Sequence, residues 1–132
     1  MKSKITGIHH VAIKAKGLEQ YAKLLEFYHG ILGLPIVREW GEGENLGAMV
    51  DTGAGILELF SNAPDERDAG ALRHLALCCD DPDEFIEAVR ANGYEVTIEP
   101  KDIVIASEPP YPARIAFCIG PVGEEVEFFK VR

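Results

Sequence analysis

The sequence predicts an α+β fold made of two β-α-β-β-β modules in tandem. Three observations predict it. A short apolar run headed by histidine occurs twice, as His9-His10-Val11-Ala12-Ile13-Lys14 and as Arg73-His74-Leu75-Ala76-Leu77-Cys78. Each run leads through a polar turn into a segment of helical periodicity. Each is answered further on by an apolar run with a carboxylate at its centre, Ile56-Leu57-Glu58-Leu59-Phe60 and Val126-Glu127-Phe128-Phe129. The offset from His10 to His74 nearly equals that from Glu58 to Glu127, and a near-constant offset over most of a chain marks two copies of one supersecondary unit. Module one is expected over about residues 5–61 and module two over about 70–131, within a single domain of 132 residues.

Residues 5–15 read as a buried strand, with Ile8, His10, Ala12 and Lys14 on one face and His9, Val11, Ile13 and Ala15 on the other. Lys16-Gly17 breaks it. Leu18, Tyr21, Ala22, Leu25, Tyr28 and Leu32 then recur at helical spacing, with Glu19, Lys23 and Glu26 on the wet side. Gly30, Gly33 and Pro35 end the helix. Strands are expected at 34–40, 46–52 and 56–61, the last two joined by Gly53-Ala54-Gly55. Residues 62–70 form a polar connector between the modules.

The second module repeats the order. A strand at 72–79 meets a helix start at Asp81, the N-cap, with Pro82 in the first helical position. Phe85, Ala88 and Val89 are expected to face inward, and Asn92-Gly93 to end the helix. Strands follow at 94–99, 103–106, 113–119 and 125–131. The Pro-rich insert Glu108-Pro109-Pro110-Tyr111-Pro112 has no counterpart in module one; it reads as a lining of a ligand site or as a rigid connector.

Composition bounds the function. The chain carries 22 acids against 13 bases, a net charge of −9, which speaks against nucleic-acid backbones and anionic membrane surfaces as partners. No apolar run approaches membrane-spanning length and the N-terminus lacks the apolar core of a signal peptide, so a cytoplasmic protein is expected. The three cysteines, two of them adjacent, form no disulfide framework, and no CxxC spacing offers a thiolate zinc site.

Buried charge calls for an explanation where buried leucine does not. Glu58 and Glu127 each sit inside an apolar run, and a carboxylate there is costly unless it is paired, hydrogen-bonded or bound to a cation. If the modules pack about a pseudo-twofold axis, equivalent inward positions converge, and His10, Glu58, His74 and Glu127 meet. Imidazole nitrogen with carboxylate oxygen suits one divalent ion of zinc, nickel, cobalt, manganese or iron. Singly, each of these residues reads as a packed histidine or a half-exposed glutamate; together they read as a metal site. His9 is expected to face the helices as a structural residue, and His29 to lie at the surface. Lys14 and Arg114 are expected to share the cavity face and hold a substrate anion, with a plain surface charge as the alternative. Trp40 and Tyr111 read as pocket walls or as core and rim packing.

These residues carry a resemblance to the vicinal oxygen chelate superfamily, which contains glyoxalase I, methylmalonyl-CoA epimerase, extradiol dioxygenases, fosfomycin-modifying thiol transferases and bleomycin-binding proteins. The resemblance covers almost the whole chain. It rests on Ile8-His9-His10-Val11-Ala12-Ile13, on Glu26-Phe27-Tyr28 leading to Leu32-Gly33-Leu34, and on Ile56-Leu57-Glu58-Leu59. It continues in Arg73-His74-Leu75-Ala76-Leu77 and in Gly120-Pro121-Val122-Gly123 running into Glu125-Val126-Glu127-Phe128.

The resemblance implies that each module curls into a half-barrel of mixed sheet around a central cavity, with the metal held by His10, Glu58, His74 and Glu127. Branches lacking a ligand at the position of Glu58 resemble dioxygenases and thiol transferases, and bleomycin-binding members usually lack the ligands. Keeping all four makes this chain similar to the glyoxalase I and epimerase branches, lyases and isomerases that move a proton next to a carbonyl. In the glyoxalase-like version Glu127 or Glu58 is the implied base, whereas the epimerase-like version calls for a separate acid. A homodimer and a small-molecule substrate are also implied, with the site inside one chain or across the dimer. A ferrous dioxygenase or thiol transferase, and a non-catalytic binding or resistance protein, are the alternatives.

Overall fold

The computed structural model describes residue 4 and residues 8–66 and 74–132. The expected strand residues 5–7, the connector end and module start at 67–73, and Arg73 itself lie outside the described residues. The chain divides into two compact units, Met1–Glu66 and Arg67–Arg132.

Unit one contains β1 (His10–Lys14), α1 (Gly17–Leu25), β2 (Ile36–Glu42), β3 (Asn45–Asp51) and β4 (Ile56–Phe60). The sheet order is β1-β4-β3-β2, with β1 and β4 parallel and the other pairs antiparallel. A parallel pair needs a long crossover, and here α1, β2 and β3 supply it. Alternation divides the sheet into two faces. Ala48, Val50, Leu57 and Leu59 are buried on one of them. His10, Ala12, Lys14, Glu58 and Phe60 share the other, because each β1 residue stands opposite its β4 partner in register.

The helix departs from the expected stripe. Tyr21, Leu24, Phe27, Tyr28 and Leu32 are buried, whereas Leu18 is 43% exposed and Ala22 is exposed. After Leu25 the backbone continues as a π-helical segment, Glu26–Ile31. Leu18 and Ala22 lie in α1 ahead of that segment, where the buried side runs through Tyr21 and Leu24, while Tyr28 and Leu32 are buried as expected. Gly33, at φ +78°, closes the segment in a left-handed conformation that favours glycine.

Unit two repeats the plan with β5 (His74–Cys78), α2 (Pro82–Ala91), β6 (Val96–Ile105), β7 (Tyr111–Ile119) and β8 (Glu125–Val131). Its order is β5-β8-β7-β6, again with one parallel pair, β5 and β8. The α+β class and the tandem modules are therefore as expected. Asp81 caps α2, its side chain accepting from the Asp83 and Glu84 amides at 3.1 and 3.3 Å, and Pro82 opens the helix. Pro82, Ile86 and Val89 are buried; Phe85 is half-buried and stacks on Phe128 at 5.3 Å between ring centroids.

One strand replaces two in this unit. The segments expected at 94–99 and 103–106 form the continuous β6, with register shifts between Val96 and Ile98 and between Ile98 and Lys101. Pro100 suggests a break, but β6 is an edge strand, where a missing N–H costs no ladder bond and an irregular register absorbs the ring. The Pro-rich stretch is likewise partly strand, since Tyr111 and Pro112 belong to β7 and pair with Ile105 and Val104.

Candidate metal centre

In each unit the parallel strand pair brings one imidazole to one carboxylate. Ala12 stands opposite Glu58, and Ala76 stands opposite Glu127. The histidine lies two residues before that alanine in both strands, on the same face. His10 Nε2 lies 3.5 Å from Glu58 Oε1, and His74 Nε2 lies 3.2 Å from Glu127 Oε1. The small alanine between them leaves room for both side chains to lean together. The two sheets are thus built to one register, down to the pair of polar atoms.

Burial differs between the pairs. Glu127 is only 8% exposed, whereas Glu58 is half-buried and both histidines are exposed. Burial pushes the Glu127 carboxyl above its ordinary range, and the adjacent His74 offsets this only in part. Phe117, opposite Glu127 on β7, sets its ring edge-on to His74 at 5.3 Å and so limits the imidazole's freedom.

The donor set fits a divalent ion. Nitrogen and oxygen ligands about 2.1 Å from one ion at right angles are themselves about 3 Å apart, close to the spacing within each pair. Among the described residues no group of three or more His, Cys, Asp or Glu side chains is placed to hold an ion, and each unit presents one imidazole–carboxylate pair.

The other expected residues are placed as follows. Lys14 is on the face of His10, with Nζ 5.2 Å from the centre of the Phe60 ring. Trp40 lies on the same face, edge-on to Phe60 at 5.8 Å. Tyr111 reaches Phe129 at 5.9 Å on the Glu127 face of unit two. Phe60 and Phe129 each follow their glutamate by two residues, so both units carry an aromatic pair beside the carboxylate.

Arg114 is a correction. It stands one residue out of phase with Phe117, on the face that α2 covers, and not on the face of Glu127. Its guanidinium donates to Asp83 at 2.7 and 2.8 Å and to Asp102 at 3.1 Å. The strand alone does not reveal which face Arg114 takes, because the inward phase of β7 depends on register with β8.

His9 is a second correction, to its expected facing. It is exposed rather than turned toward a helix, and its Nδ1 lies 3.0 Å from His10 Nδ1. The adjacency of the two histidines was the available signal, but strict alternation assigned them to opposite faces. The His9 backbone still pairs with β4 through the Ile56 amide, so the two rings meet through their side-chain conformations and not through a break in the strand. His29, on the π-helical segment, is exposed and contacts the Leu34 carbonyl at 2.8 Å through Nδ1.

Residues 7–107 match the family model described as Glyoxalase/Bleomycin resistance protein/Dioxygenase superfamily. No curated protein matches the chain. Among solved structures, SMU.1112c is 27% identical with a TM-score of 0.74, over 96% of this chain and 99% of that one. A glyoxalase family protein from Enterococcus faecalis is 26% identical with a TM-score of 0.67, over 94% and 97%. A glyoxalase I variant from Zea mays is 21% identical with a TM-score of 0.73, over 92% of this chain and 43% of that protein, a likeness of fold.

Proposed function

Since the chain belongs to the Glyoxalase/Bleomycin resistance protein/Dioxygenase superfamily, we propose that it is a divalent-metal-dependent lyase or isomerase that moves a proton next to a carbonyl. The observation that carries this reading is the repetition of one histidine–glutamate pair at one register in both units. His10, Glu58, His74 and Glu127 would hold the ion, drawn from one chain or from two chains of a homodimer. When bound, such an ion supplies Lewis acidity at a substrate oxygen.

The side chains supply the rest. Glu127 or Glu58 takes the proton from the carbon beside the carbonyl and returns it at the neighbouring position, a carboxylate's task once its proton affinity suits the reaction. Ala12 and Ala76 leave the strand faces open next to each pair. Lys14 meets an anionic group of the substrate, and Trp40 and Tyr111 wall its apolar part. In this reading the two units act as a single domain in the cytoplasm on a small-molecule substrate.

Metal analysis of the purified protein, followed by assays with a hemithioacetal and an epimerisable thioester, tests the proposal. A stoichiometric divalent ion is expected, lost in His74→Ala, with turnover restored by nickel, cobalt or zinc. Absence of stoichiometric metal together with unchanged ligand affinity in His74→Ala would make it a binding protein instead. Oxygen consumption with a catechol and ferrous iron would make it a dioxygenase.

A further inference from the structure

His9 makes an unusual contact. Its Nδ1 lies 3.0 Å from Nδ1 of His10, and the two rings stand 87° apart with centroids separated by 5.2 Å. The opposite nitrogen of His10, Nε2, is the one directed at Glu58. The His10 ring therefore meets a histidine at hydrogen-bond distance on one side and faces a carboxylate across 3.5 Å on the other. The backbone of His9 is itself tied down, since its carbonyl accepts from the Ile56 amide at 3.2 Å, extending the β1–β4 pairing by one residue. The corresponding residue ahead of His74 is Arg73. The second module offers no imidazole at that position in the sequence.

We propose that His9 is a positioning residue that sets the ring orientation and the tautomer of His10 for metal binding. The inference rests on the metal reading given above. An imidazole has one proton to place when neutral, and two nitrogens facing each other at hydrogen-bond distance need one proton between them. When His10 carries its proton on Nε2, the nitrogen that faces Glu58, the proton between the rings belongs to His9, on its Nδ1. A nitrogen that donates its lone pair to a metal carries no proton. With Nε2 so engaged, His10 carries its proton on Nδ1 and donates to His9, and the His9 proton then resides on Nε2. Each ring keeps one proton throughout, and the pair exchanges donor for acceptor. A metal-bound histidine whose far nitrogen is hydrogen-bonded is both better oriented and more basic.

Cobalt affinity, measured by competition with a chromophoric chelator, tests this in three proteins. His9→Leu removes the acceptor and is expected to weaken binding by about 10- to 100-fold. His9→Asn keeps an oxygen near the place of Nδ1 and is expected to recover most of that loss. In zinc-loaded wild type carrying 15N-histidine, NMR is expected to show His10 protonated at Nδ1 and His9 at Nε2. The proposal is overturned by wild-type affinity in His9→Leu, by Asn behaving as Leu does, or by an unprotonated His10 Nδ1 in the zinc form. The NMR measurement needs no variant, so it decides even where His9→Leu does not fold. A wild type that takes up no cobalt overturns the metal reading and this inference with it, whereas altered affinity without the tautomer pattern overturns the inference alone.

Discussion

Cys118 on β7 and Cys78 on β5 lie in one sheet with β8 between them, yet they differ in chemistry. Cys118 is fully buried beside α2, and burial pushes its thiol up to about 12. Cys79 is half-buried and also raised by burial, while Cys78 is exposed on the face of His74. Thiolate is the reactive form, so brief treatment with iodoacetamide near neutral pH is expected to label Cys78 first and leave Cys118 untouched. Peptide mass mapping reads the order. Trp40, the sole tryptophan, offers a second residue-level test. Its indole lies across Gly47 so closely that a Cβ there would overlap the ring. Gly47→Ala is expected to push the indole off β3, shifting its fluorescence to longer wavelength without unfolding the protein. The residues of the candidate centre were legible because a carboxylate inside an apolar run contradicts its surroundings. His9 was not, because its contact with His10 is made by side-chain conformations, which neither composition nor alternation reveals.

At the scale of elements, the Asp83–Arg114 pair joins the first turn of α2 to β7, and Asp102 on β6 extends the link. The Arg114 guanidinium holds the Asp83 carboxyl below its usual range, and the two aspartates raise the arginine in turn. A carboxyl depressed in the folded state contributes stability that is complete above the ordinary aspartate value, about 3.9, and is lost as the pH falls through the lower, folded value. Asp83→Asn is therefore expected to lower the thermal midpoint at neutral pH and to flatten its decline in acid. A midpoint that falls as steeply as the wild type's below pH 4 would show that other carboxylates carry the acid sensitivity. The elements themselves were mostly readable: capping by Asp81 and the repeated β-α-β-β-β order follow from local chemistry and spacing. What escaped was tertiary. Packing buried Leu24 rather than Leu18 on α1, the sheet edge tolerated Pro100, and register turned Arg114 toward α2.

For the molecule as a whole, ligand linkage supplies the prediction. An ion that binds the native state and not the unfolded chain stabilises it by about 2.7 kcal/mol at 100 times its dissociation constant. Cobalt or zinc is expected to raise the thermal midpoint, a chelator to reverse the rise, and Glu127→Gln to abolish it. The family and the two-module plan were legible from the echo between His10 and His74. The substrate was not, because the residues that face it come from different strands and their company is decided by folding.

The shared register of β1 with β4 and of β5 with β8 carries one more consequence. Side chains alternate along a strand, so a slip of β8 by one residue would exchange Glu127 with Phe128, sending the carboxylate into the helix layer and the core aromatic to the open face. Core and chemistry are in this sense proofread together. A molecule that assembled with the wrong pairing would lose its donors along with its packing. Uptake of an ion by this protein would then count correctly folded molecules, an assay of folding that needs no knowledge of the substrate.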